Sequence, residues 1–127
     1  MLPITIRKRT ITEADLELIQ ATVREYWHKG RTQISEIRKG DIVIHTRTYS
    51  SFYRTALDRT LKRLGVRHLI LTGVVTNICI LYTAVDAYMR GYEVSVPEDC
   101  VAAFSAADHR FALRQIHETL KPCRSRS

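Results

Sequence analysis

Turn-forming and cross-linking residues are scarce: the 127-residue chain contains 5 glycines, 3 prolines and 3 cysteines. Cys79, Cys100 and Cys123 form no CxxC pair, which argues against a disulfide framework and against a structural zinc site. No apolar run approaches bilayer length, so no membrane partner is expected. The start "MLPITIRKRT" has no apolar stretch behind its first charges. It does not read as a secretory signal, and a cytoplasmic setting is expected. Acidic residues are the minority, 13 against 20 Lys and Arg, for a net charge of +7. A clustered excess would favour a polyanionic partner. Here residues 1 to 40 carry 8 basic and 5 acidic side chains and residues 41 to 127 carry 12 and 8, so the excess is spread. The densest groups, "RKR" at 7 to 9 and Arg59, Lys62 and Arg63, have no interleaved aromatics, which points to a solvated basic surface rather than a nucleic-acid site.

What is present suffices for one modest domain with a single core. Thr12 and Asp15 have the spacing of a capping box, and Leu16, Ile19, Val23 and Tyr26 or Trp27 follow at helical period, which predicts a helix over 13 to 28. Gly30 should end it, and Thr32 is a candidate cap for a short turn through Ile37. Lys39 and Gly40 are the candidate junction, because from Asp41 strands and helices alternate. "DIVIHT" reads as a strand. Thr55 with Asp58 caps a helix bearing Leu57, Leu61 and Leu64, and Gly65 stops it. "RHLILTGV" reads as a buried strand, residues 77 to 90 as a helix ended by Gly91, "YEVSVPED" as a strand, and Ser105 with Asp108 as the opening of a last helix through about Leu120.

The expected fold is α/β: a truncated Rossmann-like parallel sheet of about three strands flanked by helices, with an extra N-terminal helix. Residues 1 to 40 form the N-terminal segment, 41 to 120 the partial α/β domain and 121 to 127 a basic tail. Three strands make a thin sheet with two open edges. Either the N-terminal segment supplies the missing cover or another copy of the chain does; a homodimer or larger assembly, with N-terminal helices open to exchange, is the expectation.

Cys79 lies at a turn, "GVVTNIC", between a strand and a helix, where ligands of open α/β sheets collect. With Thr76 or Asn77 as cap, its sulfur sits in the first helical turn, whose free N–H groups and dipole favour a thiolate and an oxyanion. The competing reading is a small apolar filler packed on the sheet. The surrounding stretch, "LILTGVVTNICILYTAVDAYMRGYEVSVPEDCVA" together with "DIVIHTRTYSSFYRTALDRTLKRLGV", resembles the isochorismatase-like cysteine hydrolase superfamily, with Gly73, Thr76, Cys79, Thr83, Ala87, Gly91 and Asp99 at the family's places. The resemblance implies a doubly wound sheet, Cys79 as nucleophile on a carbonyl carbon, an oxyanion hole from the N–H groups of Val75 and Cys79, and a cis peptide before Val75.

Two features of the family pattern are missing. The place of its lysine is Thr46, with His45 beside it, and its N-terminal strand ending in a catalytic aspartate has no counterpart. Of five histidines, His45 is the candidate replacement base, since it ends a strand on the side where Cys79 opens. Strand alternation sends His45 and Thr46 to opposite faces, so one of them at most reaches the site. Thr46, Arg47, Tyr49, Phe52 and Asn77 are the candidate substrate contacts, the aromatics as an apolar wall or as dimer packing, and Arg47 or Arg54 for an anionic substrate. His68 begins its strand at the far end of the sheet. His109 and His117, eight residues apart on one helix, have no third ligand, so neither a metal nor another cofactor is expected. Asp86 reads as solvated or capping, and Asp99 as loop-stabilising or cleft-lining. Three functional readings follow: a small hydrolase acting on esters, amides or phosphate esters; a non-catalytic oligomeric remnant or small-anion binder; and a nucleic-acid module using the basic N-terminal helix.

Overall fold

A computed structural model describes residues 3–6, 12–29 and 41–121. The expectations for Gly30, the 32–37 turn, the junction at 39 and 40, Cys123 and most of the basic tail fall outside them. The elements are β1 (Pro3–Ile6), α1 (Glu13–Lys29), β2 (Ile42–His45), α2 (Leu57–Arg63), β3 (His68–Ile70), β4 (Gly73–Val74), α3 (Leu81–Met89), β5 (Glu93–Ser95), β6 (Val101–Ala102) and α4 (Ala106–Thr119).

The helices begin where their capping residues stand. Thr12 accepts the Asp15 N–H on its hydroxyl at 3.2 Å while Asp15 accepts the Thr12 N–H at 3.0 Å, the reciprocal box that satisfies two donors. Ser105 accepts the Asp108 N–H at 3.1 Å and opens α4. At α2 the expected pair divides its work. Thr55 accepts the Leu57 N–H at 3.2 Å, whereas Asp58 turns to Tyr92, Lys62 and Arg90. Gly65 and Gly91 end α2 and α3 with φ of 72° and 94°, the left-handed exit that glycine takes without a Cβ clash.

The strands depart from the expected sheet. Among the described residues they form three separate pairs. β2 runs antiparallel to β1, with Ile4 opposite Ile44, so an N-terminal strand does exist, although no aspartate ends it: Ile6 is followed by Arg7. "RHLILTGV" is two strands rather than one. β3 pairs parallel with β5, and β4 pairs parallel with β6. The change of partner follows from the chain opposite. After Ser95 comes Pro97, which has no N–H for the ladder and leads into a tight turn over Glu98–Cys100; β6 then takes over the pairing. Nor is β3 buried on both faces, since Ile70 is 46% exposed.

Three apolar clusters hold the elements. Ile80 and Ala84 of the α3 region meet Val101 and, from α4, Leu113, Ile116 and Leu120. Phe52, Leu57, Leu61, Ala87 and Tyr92 join the 47–56 loop, α2 and α3. Val23 and Tyr26 of α1 pack on Ala102 and Val74. The N-terminal helix therefore covers β4 and β6, the cover expected from the N-terminal segment. Among the described residues no helix is long and apolar enough to cross a membrane.

Candidate active site around Cys79

β4 delivers the chain to the carboxyl end of the β4–β6 pair, and the Val74–Val75 peptide there is cis, as the resemblance implied. The next five residues, Thr76–Ile80, form one wide π-helical turn before α3 begins. In it the Val75 carbonyl accepts from the N–H groups of Ile78 at 3.1 Å and Ile80 at 3.2 Å. An α-helix would instead give it the N–H of Cys79, four residues on. Turns of this kind inside helices recur at functional sites because they displace a side chain from the regular ladder. Cys79 is half-buried and free. Cys100, by contrast, is fully sealed. Burial, with Asp99 beside it, pushes the Cys100 thiol up to about 11, so it stays protonated at neutral pH.

The turn is braced from beneath. Thr76, with no exposed surface, shares a 2.9 Å hydrogen bond with His109 Nδ1, and the edge of the Trp27 ring system meets that imidazole at 5.3 Å. Desolvation lowers the His109 pKa. His109 and His117 do not share a face of α4, since His109 is 8% exposed and His117 lies in solvent. His109 continues the buried row Ala112, Leu113 and Ile116 at helical spacing, a signal visible in the sequence.

From the side, the 47–56 loop is stitched to α3. Thr83 accepts the Ser51 N–H at 3.0 Å, and Ser50 donates to Asp86 at 2.8 Å. Asp86 is half-buried and paired rather than simply solvated; it also holds Arg90 at 2.7 Å. These bonds bring Tyr49 against Tyr82, with ring centroids 5.9 Å apart, one turn beyond Cys79.

The expected contacts divide accordingly. Tyr49 and Arg47 are exposed, Thr46 and Asn77 are half-buried, and Asn77 Oδ1 is sealed from solvent with no hydrogen-bond partner among the described residues. Phe52 is a correction. It is 3% exposed, stacked on Tyr92 at 5.9 Å and capped by the Arg90 guanidinium at 5.0 Å; it serves the core and walls no cleft. His45 is exposed and Thr46 half-buried, the alternation expected of β2, and no hydrogen bond joins His45 to Cys79 among the described residues. His68 shares a 2.6 Å hydrogen bond with Ser95, locking β3 to β5. Asp99 accepts from Gln20 of α1 at 2.6 Å, a loop-stabilising role. Among the described residues no three His, Cys, Asp or Glu converge as metal ligands.

Residues 27–126 match the model of the isochorismatase domain. The chain is 50% identical over 72 residues to the uncharacterized isochorismatase family protein YaaI of Bacillus subtilis, covering 57% of this chain and 40% of that one. It is 43% identical over 60 residues to the ureidoacrylate amidohydrolase RutB of Caulobacter vibrioides, covering 47% and 27%. A nicotinamidase from Staphylococcus aureus superposes with a TM-score of 0.60 at 39% identity, over 61% of this chain and 50% of that one. An isochorismatase-like hydrolase from Alkaliphilus metalliredigens gives 0.65 at 31%, over 69% and 50%. The chain spans less than half the length of the two curated relatives named.

Proposed function

Because this chain belongs to the isochorismatase family, we propose that it is a hydrolase of small esters or amides with Cys79 as nucleophile. The observation that carries the reading is the placement of Cys79: a half-buried free thiol in a widened turn at the carboxyl end of a parallel strand pair. The thiolate attacks the substrate carbonyl carbon and forms a C–S bond as the carbonyl oxygen becomes an oxyanion. The N–H groups of Val75 and Cys79 are the donors for that oxygen. Collapse expels the alcohol or amine, which leaves with a proton. Water then cleaves the thioester, releasing the acid and restoring the thiol.

His45 is the proposed base, since it ends β2 and an imidazole nitrogen can accept a thiol proton. Its role needs the end of β2 to approach the turn when substrate binds. Thr46, Arg47, Tyr49 and Asn77 are the proposed substrate contacts, Asn77 because its side-chain oxygen has no hydrogen-bond partner among the described residues. Self-association belongs to the same reading: the edge of β3, with Ile70, and the outward rings of Phe104 and Phe111 offer apolar surface to a second copy.

Hydrolysis of p-nitrophenyl acetate and of nicotinamide tests the assignment. Cys79→Ala should lower kcat/KM by about a hundredfold or more with the circular dichroism unchanged, and His45→Gln by about tenfold to a hundredfold. Equal rates in wild type and Cys79→Ala would remove the thiol from the mechanism.

A further inference from the structure

The loop between β2 and α2 carries two arginines whose arrangement the hydrolytic reading does not by itself explain. Arg47 donates its Nε–H to the main-chain oxygen of Arg54 at 3.2 Å, which brings one guanidinium to the backbone of the other arginine. Arg54 is the sole non-glycine residue with positive φ among the described residues, at 53°. Its guanidinium lies over the Tyr53 ring, 5.6 Å from the centroid. A left-handed backbone is disfavoured at arginine because Cβ crowds the following carbonyl oxygen. Neither arginine meets a carboxylate among the described residues. Asp58 and Asp86, on the neighbouring helices, are engaged by Tyr92, Lys62, Ser50 and Arg90. One exposed turn thus carries two arginines that no carboxylate neutralises among the described residues, one of them in an uncommon backbone conformation, and an oxyanion is the ligand chemistry such a turn accepts.

The loop is also fixed relative to Cys79. Buried Thr83, four residues and one turn beyond the cysteine, accepts the Ser51 N–H at 3.0 Å. The Ser51 hydroxyl at 3.3 Å and the Tyr49 carbonyl at 3.5 Å are within reach of its single proton. Residues four apart on a helix share a face, so the Thr83 bonds tie the 47–56 loop to the helix that the Cys79 turn leads into. We infer that Arg47 and Arg54 form an oxyanion-selecting arm beside Cys79, so that the preferred substrate carries a carboxylate or phosphate besides the carbonyl under attack. The inference rests on reading Cys79 as the reacting thiol, and Thr83 is a positioning residue for the arm.

Alkylation of Cys79, followed by mass spectrometry of its peptide, tests the arm without requiring turnover. With iodoacetate or iodoacetamide the thiolate forms an S–CH2 bond and iodide departs with the bonding electrons; the two reagents differ in the charge carried at the far end. The iodoacetate-to-iodoacetamide rate ratio at Cys79 should exceed that of N-acetylcysteine about fivefold, the scale of one close charge pair in water. Arg47→Gln and Arg54→Gly should each bring the ratio most of the way back, Arg54→Gly while raising the melting temperature, because glycine accepts φ 53° freely. Thr83→Val should also abolish the preference and Thr83→Ser should keep it, a split that mere packing would not produce. Protection against iodoacetamide by inorganic phosphate or by acetate then separates the two classes of anion. A wild-type ratio equal to that of the small thiol, or a raised ratio that survives Arg47→Gln with Arg54→Gly, overturns the arm. Since no hydrolysis is measured, that failure is separable from a failure of Cys79→Ala to abolish activity.

Discussion

His109 is the side chain whose environment makes the sharpest statement about pH. It is buried between Trp27 and Thr76, and desolvation holds its pKa below the ordinary value. The unfolded chain therefore binds a proton at His109 more readily than the folded one. Its contribution to stability is complete above an unfolded pKa of about 6.5 and is lost as the pH falls below that towards the lowered folded value. Urea midpoints should drop between pH 7 and pH 5.5 in the wild type, and His109→Phe should flatten that window. An equally steep fall in the variant would place the titration elsewhere. The same contrast of environment separates the described cysteines. Cys100 has no exposed surface and a thiol raised to about 11, whereas Cys79 is half-buried at the widened turn. At Arg54, relief of a left-handed backbone by glycine should stabilise the fold by about 1 kcal/mol.

Single helices depend on their first residues. Ser105→Ala removes the acceptor of the Asp108 N–H and should cost about 1 kcal/mol in urea denaturation; no loss would mean that another group caps α4. Such features were readable because they are local. The box at Thr12 and Asp15, the cap at Ser105 and the stops at Gly65 and Gly91 each depend on residues a few positions apart. The strand pairings were not readable in this way. Whether "LILTGV" continues as one strand depends on Pro97 and on where the opposite chain resumes at Val101, facts some thirty residues distant. At the site, Cys79 and the cis peptide were reached through the family resemblance. The hydrogen bonds of Thr83 and Asp86 to the serines of the 47–56 loop cross more than thirty positions and have no local signature. Phe52 was misplaced for the same reason: an aromatic beside a polar loop suggests a cleft, but Tyr92 and Arg90, forty residues on, enclose it.

At the level of the whole molecule, three strand pairs stand in place of one continuous sheet among the described residues, and apolar side chains such as Ile70 and Phe104 lie exposed. Under the self-association proposed above, sedimentation equilibrium should show a dimer or larger species at micromolar concentration, and the melting temperature should rise with protein concentration. A monomer whose melting temperature is independent of concentration would contradict it. The central claim, that Cys79 reacts covalently with a carbonyl substrate, is tested most directly by acid-quenching a reaction with p-nitrophenyl acetate and mapping the acetyl group by mass spectrometry. The account predicts acetyl on the peptide containing Cys79, none on Cys100, and release of p-nitrophenolate. Hydrolysis that proceeds with no label on Cys79, and at the same rate in Cys79→Ala, would contradict it.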